Sequence, residues 1–268
     1  MILATVRHEG RLTGARVEGD RVVLLDAANA VAAAVHGGTE WGEIDASTAH
    51  YARTSPDPQH ILCIGLNYRS HLEQLGRPMP EYPTFFAKFP STLTGPRDSI
   101  VLPAISDQVQ GEVELGVVVG ATVHRADLDR ASAAIAGFTV ANDLSMRDWQ
   151  HRTSEALQGK VFDRSTPVGP YLVSPGDVDG GRGLELSFRV DGTLWQTGST
   201  ADMLFSPAEL VSYCSQFLTL RPGDVILTGT PGTTPAAGDL HPGSVLETAI
   251  EGLGVSINPV VSEEVGHD

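Results

Sequence analysis

A β-dominated α+β fold follows from three features of this 268-residue chain. Short β-branched runs punctuated by Gly and Pro recur through most of its length. Helical patterns are few, and they do not alternate with strands as a βαβ array would. At 41% hydrophobic and 19% charged residues, the composition is that of an ordinary globular domain with enough length for a sizeable core.

Residues 1–54 carry β-like runs at 2–6 and 21–25 and an Ala-rich stretch at 27–35. They read as a small N-terminal α+β unit. The Pro-spaced connector TSPDPQ at 54–59 sets domain boundaries of 1–57 and 58–261. Strand-like runs follow at 61–65, 112–119, 138–141, 184–190 and 225–228, and helical patterns at 127–136, 145–158 and 206–218. In the last of these, Ser206 is an N-cap, Pro207 takes the first helical position and Glu209 completes a capping box. Ser70 and Glu73 have the same spacing, which directs the acid back to a helix N-terminus. The tail at 262–268 is polar and is expected to fray.

Thirty-three acidic against 18 basic residues leave a formal charge of −15, which repels nucleic-acid backbones and anionic membrane surfaces. The longest apolar runs are strand-sized, so no membrane partner is expected. The N-terminal MILATVRHEG lacks the pattern of a secretory signal, and Cys63 and Cys214 match no metal or redox spacing. A reducing, cytoplasmic location is the expectation. Among the 18 basic residues only Lys88 and Lys160 are lysines.

The first chemically informative pair is Glu112 and Glu114, which share one face of a strand while Val113 and Leu115 pack on the other. A solvated edge strand would explain the pair on spacing alone. The valines at 117–119, apolar on both faces, belong instead to a buried strand. Inward-facing paired carboxylates are best explained by a hard divalent cation. Asp143 ends another strand-like run and is open to two readings, a third ligand or a helix cap. Arg147 and Gln150 follow at +4 and +7, on one helix face, where they suit an anionic substrate or simply solvent.

In combination, these segments resemble the fumarylacetoacetate hydrolase family. The matching motifs, in order, are IGLNYRSH (64–71), FFAKFPSTLTGP (85–96), GEVELGVVVG (111–120), TVANDLSMRDWQ (139–150), GKVFDRSTPVGP (159–170), RPGDVILTGTP (221–231) and IEGLGVSINPV (250–260). The resemblance implies a mixed β-roll or distorted-barrel core, a Mg²⁺ or Mn²⁺ site to which Ca²⁺ would also be suited, and a homodimer. By position, Glu112, Glu114 and Asp143 match its metal ligands, and Arg147, Gln150, Lys160 and Thr230 match residues lining its substrate pocket. His71 matches the catalytic histidine of a lid segment, and Tyr68 and Arg69 in the same motif either touch substrate or pack the lid locally.

The activity so implied is metal-dependent hydrolysis of a C–C bond in a β-diketo acid of the acylpyruvate or fumarylpyruvate kind. His71 would activate water, and the metal and Lys160 would hold the enolate. The same pocket would serve a decarboxylase of oxaloacetate-like 2-oxo acids or an enol–keto isomerase, which demand less of an activated water. Two departures from the family pattern bear on that choice. Gln74 stands where many relatives carry a Glu that backs the histidine, and a neutral amide cannot stabilise an imidazolium as a carboxylate would. After Thr230 the chain reads PGTTPAAG (231–238) in place of Pro-Pro-Gly-Val-Gly. His60, His124, His151 and His241 read as surface or loop histidines, Glu81 as a substitute acid for the lid, and Lys88 as the partner of a structural or pocket-edge carboxylate.

Overall fold

The structure, a computed structural model, describes residues 1–263. Its centre is the strand Val113–Val119, every residue of which is buried. This strand pairs antiparallel with Ile135–Asn142 on one edge and with Val225–Leu227 on the other. Bonded on both edges and packed on both faces, it requires an almost unbroken apolar run. From this trio a mixed eleven-stranded sheet extends both ways. One wing passes through Tyr171–Val173 to Ile2–His8, Arg11–Glu18, Arg21–Leu25 and Glu40–Asp45, so the N-terminal hairpins continue the central sheet. The other passes through the parallel strand Ile61–Gly65 to the edge strand Thr84–Lys88.

The architecture is mixed α+β and strand-rich. Its large sheet is open, ending at Glu40–Asp45 and Thr84–Lys88, so the expected barrel does not close among the described residues. A second sheet of five strands includes Glu185–Val190, Val245–Ile250 and Gly254–Ser262. Phe138 and Leu115 of the first sheet and Leu186 and Phe188 of the second share one buried cluster. Ser262 is still paired, opposite Leu102, and residues 264–268 of the expected tail lie outside the described residues. No helix among the described residues is long and apolar enough to cross a membrane.

The helix at Pro207–Ser215 forms with its capping box, Ser206 N–H donating to Glu209 Oε2 at 2.7 Å. The pattern at 145–158 resolves differently. Ser145–Met146 pairs with Val109–Gln110, only Arg147–Gln150 is α-helical, and Ala156–Gly159 is a 3₁₀ turn. A continuous helix there would rise roughly 20 Å and carry Lys160 away from the strand it follows. The chain instead doubles back, with Gly159 so close that a Cβ would lie 2.5 Å from the Met146 carbonyl oxygen.

Asp224 sets the start of Val225–Leu227. It is 1% exposed and accepts from the backbone N–H groups of Gln59, His60 and Arg221 at 3.0, 2.8 and 2.9 Å. Its other contact, 2.8 Å to His60 Nδ1, gives that histidine a structural partner. One carboxylate thus ties the 54–59 connector to the turn leading into the site. Asp224→Ala should lower the unfolding free energy in urea by about 2–4 kcal/mol. A change within about 0.5 kcal/mol of wild type would contradict this role.

Candidate metal and substrate site

Strand register places the three carboxylates together. Val113 pairs with Asn142, and Asp143 N–H donates to the Glu112 carbonyl at 2.9 Å, so Asp143 lies opposite the start of the glutamate strand. Oxygens of Glu112, Glu114 and Asp143 lie within 4.8 Å of one another, and the residues are 9, 2 and 0% exposed. Asn142 serves the fold instead, accepting from Glu112 N–H and donating to Thr248 Oγ1, both at 2.9 Å. Asp143 is not a helix cap, because the next helix begins at Arg147 with Met146 at its cap position.

Three cations surround these acids unequally. Lys160 Nζ donates to Glu112 Oε2 at 2.7 Å and Asp143 Oδ2 at 2.8 Å. Lys88 Nζ meets Asp143 Oδ1 at 2.5 Å, and Arg147 Nη2 meets Glu112 Oε1 at 2.6 Å. Burial alone would raise the Glu112 carboxyl, yet Lys160 and Arg147 outweigh it and bring the pKa down to about 2. Burial would likewise lower the Lys160 ammonium, but Asp143 and Glu112 hold it above its ordinary value. Glu114 has no ion pair among the described residues and only the Gly229 N–H, at 2.6 Å, as donor. Burial, then the charges of Asp143 and Glu112, push its carboxyl well above the usual range.

This donor set fits a divalent cation. Three buried carboxylates offer all-oxygen ligation, and the one without a cationic partner faces the other two. Lys88 contacts the carboxylate cluster itself, more centrally than a pocket-edge role implies. The sequence signal for it was the lysine scarcity: both lysines of an Arg-rich chain meet at Asp143. A compact ammonium suits a buried site better than a planar guanidinium.

The other candidate residues border the cluster. Arg147 is held by Gln150 Oε1 at 2.8 Å and Gln110 Oε1 at 3.1 Å, besides Glu112. Thr230 Oγ1 accepts from Gln196 Nε2 at 3.0 Å, and Gln196 Oε1 accepts from Val113 N–H at 2.8 Å. Gln196 therefore locks the Thr230 loop to the glutamate strand, a role no local motif signals. Tyr68 is fully buried with its hydroxyl unpartnered among the described residues, and burial, with Glu114 and Asp202 nearby, raises its pKa.

His71 lies on the helix Arg69–Leu75, which is pinned at both ends. Asp202 Oδ2 accepts from Ser70 N–H and Oγ at 2.9 and 2.5 Å. This contact supersedes the expected Ser70–Glu73 capping box: Tyr68 occupies the cap position, and Glu73 is exposed. At the other end, Gln74 Nε2 donates to the Thr233 carbonyl at 2.9 Å while Thr233 N–H donates to Gln74 Oε1 at 3.2 Å. The two departures from the family pattern are thus one contact. A Cβ on Gly232 would lie 2.2 Å from Gln74 Oε1, so the clamp requires glycine there. His71 Nδ1 is buried without a hydrogen-bond partner among the described residues. Burial lowers the imidazole pKa from 6.5, opposed by the Glu112 charge and by the neighbouring Gln74 side chain. Glu81, His124, His151 and His241 are exposed.

Comparison with known proteins is consistent in kind. The family model described as fumarylacetoacetate (FAA) hydrolase C-terminal matches residues 60–261. Human "Oxaloacetate tautomerase FAHD2A, mitochondrial" is 43% identical over 213 residues, spanning 76% of this chain and 67% of that protein. The structure of a 5-carboxymethyl-2-hydroxymuconate delta-isomerase from Mycobacterium smegmatis superposes with a TM-score of 0.86 at 29% identity, covering 98% of this chain and all of that one. A fumarylacetoacetate hydrolase from psychrophilic Exiguobacterium antarcticum gives 0.87 at 26% identity, with the same coverage.

Saturating Mn²⁺ or Mg²⁺ should raise the thermal midpoint of the wild type by about 5–10 °C and leave Glu114→Gln unmoved. Metal-free Glu114→Gln should melt no lower than metal-free wild type, because the amide removes an uncompensated buried acid. Scanning fluorimetry with and without chelator reads both, and a metal-dependent rise retained by the variant contradicts the assignment.

Proposed function

Because this chain belongs to the fumarylacetoacetate hydrolase family, we propose that it is a divalent-metal-dependent enol–keto tautomerase of small 2-oxo acids of the oxaloacetate class. The observation carrying this reading is the engagement of Gln74 with Thr233. Hydrolysis of a β-diketo acid calls for a base strong enough to deprotonate water, helped by a carboxylate behind the histidine. The one acid of this helix, Glu73, is exposed and lies about 200° around the helix from His71. Tautomerisation asks only that one proton be moved at carbon, a task suited to a neutral imidazole with a lowered pKa. The named activities of the human and mycobacterial relatives, a tautomerase and an isomerase, support the same choice.

Glu112, Glu114 and Asp143 would hold Mg²⁺ or Mn²⁺. The bound ion would supply Lewis acidity to the 2-oxo and carboxylate oxygens of the substrate. Arg147, Gln150 and the hydroxyls of Thr230 and Tyr68 would orient the substrate's polar groups. In the keto-to-enol direction, neutral His71 takes a proton from C3. The charge that develops on the 2-oxo oxygen is met by the Lys160 ammonium. Protonation of that oxygen by the His71 imidazolium or by solvent water completes the enol, and the reverse direction removes the oxygen proton before one is returned to C3. Decarboxylation of oxaloacetate would develop charge on the same oxygen, so product analysis must separate it.

The proposal includes a homodimer. Phe85, on the exposed edge strand, stacks on Phe217 at 4.9 Å, and Tyr82 stacks on Tyr213 at 6.5 Å. Tyr82, Phe85 and Phe217 are 62, 42 and 45% exposed, an apolar surface suited to a second copy.

With Mg²⁺ present, the enzyme should speed the loss of enol-oxaloacetate absorbance, and His71→Ala should cut kcat by about 10²–10⁴-fold. Because the imidazole pKa is lowered, the base form persists to lower pH. The rate should therefore fall to half its plateau at a pH below 6.5. Turnover of acylpyruvates to pyruvate with no acceleration of enol-oxaloacetate loss would overturn the reading.

A further inference from the structure

A cavity of ≈ 540 Å³ lies between the N-terminal hairpins and the segment following the edge strand Thr84–Lys88. None of Glu112, Glu114, Asp143 or His71 lines it. Four arginines do: Arg7 and Arg53 from the N-terminal side, and Arg97 and Arg164 from the opposite wall, with His50 beside them. One carboxylate, Asp98, stands against these cations. Its Oδ2 already accepts from Thr94 Oγ1 at 3.0 Å and Gly95 N–H at 2.9 Å, and it lies 3.8 Å from Arg164. Arg7, Arg53 and Arg97 form no ion pair among the described residues, and Arg53 donates only to the Leu93 carbonyl at 3.3 Å.

Like charges lining one cavity repel one another, and among the described residues only Asp98 lines it to relieve them. Guanidinium forks pair bidentately with carboxylate and phosphate oxygens and are less strongly hydrated than ammonium groups. A cavity of this volume lies within the range of small-molecule sites. With two arginines on each wall, a ligand carrying anionic groups at both ends would bridge the hairpins to the core. The far wall also adjoins the segments bearing the two site lysines: Arg164 N–H donates to the Ser91 carbonyl at 3.0 Å. We propose that this cavity binds a small polyanion with two or more phosphate or carboxylate groups, separately from the carboxylate cluster and independently of the tautomerase reading.

Titration calorimetry in metal-free buffer at fixed ionic strength, with pyrophosphate and citrate as probes, tests this on the full chain. At least one probe should bind wild type at a single site and weaken about tenfold or more in Arg7→Gln/Arg97→Gln, whose altered side chains make no hydrogen bond among the described residues. Arg53→Gln should weaken the same probe, while Arg147→Gln, which alters the other site, should not. The tighter probe identifies whether phosphate or carboxylate is the preferred group. Absence of binding heat with both probes, or affinity unchanged in the double variant while it still melts like wild type, overturns the proposal.

Discussion

The burial of three carboxylates around one point is the constraint from which the rest of the site follows. In the protein interior each would be strongly disfavoured as an anion unless a cation lay beside it. The fold answers with Lys88, Lys160 and Arg147, but all three serve Glu112 and Asp143. Glu114 is left with a single backbone donor. Glu112 is therefore held as an anion and Asp143 is matched by both lysines, and the raised Glu114 carboxyl makes the cluster receptive to a divalent ion. The surrounding architecture fixes this geometry: antiparallel register sets Asp143 against Glu112, and Asn142 and Gln196 each anchor the backbone beside Glu112.

A second constraint acts on His71. Its helix is held by Asp202 at one end and by the Gln74–Thr233 pair at the other, so the imidazole is positioned by clamps from two distant loops. An amide at position 74 can donate to a carbonyl and accept from an N–H at once. A carboxylate could do only the second and would face the Thr233 carbonyl with negative charge. The exchange of Glu for Gln thus trades an electrostatic partner for a mechanical one. That trade is compatible with proton transfer at carbon and poorly matched to water activation.

Much of this was legible in the sequence because the information is local. The apolar run after the glutamates and the Ser206–Glu209 box each act within a few residues and each formed. Elsewhere, distant contacts overrode local patterns. The 145–158 pattern scans as helix, yet the chain reverses, with Gly159 packed on Met146 and Lys160 directed to Glu112 and Asp143. Ser70 matches a capping box, but its partner is Asp202, 132 residues away. Gln196 carries no local signature of its role. The Gln74–Thr233 contact joined two departures that had looked unrelated in the linear sequence.

Anomalous diffraction at the manganese edge, from crystals grown with Mn²⁺ and oxalate, examines the carboxylate cluster most directly. A single strong peak should lie within coordinating distance of Glu112, Glu114 and Asp143, about 2.0–2.2 Å from each ligand oxygen, with oxalate on its open side. A peak bound elsewhere, or no peak at the cluster while Lys88 and Lys160 keep their contacts with Asp143, would contradict the assignment of these buried acids to a metal.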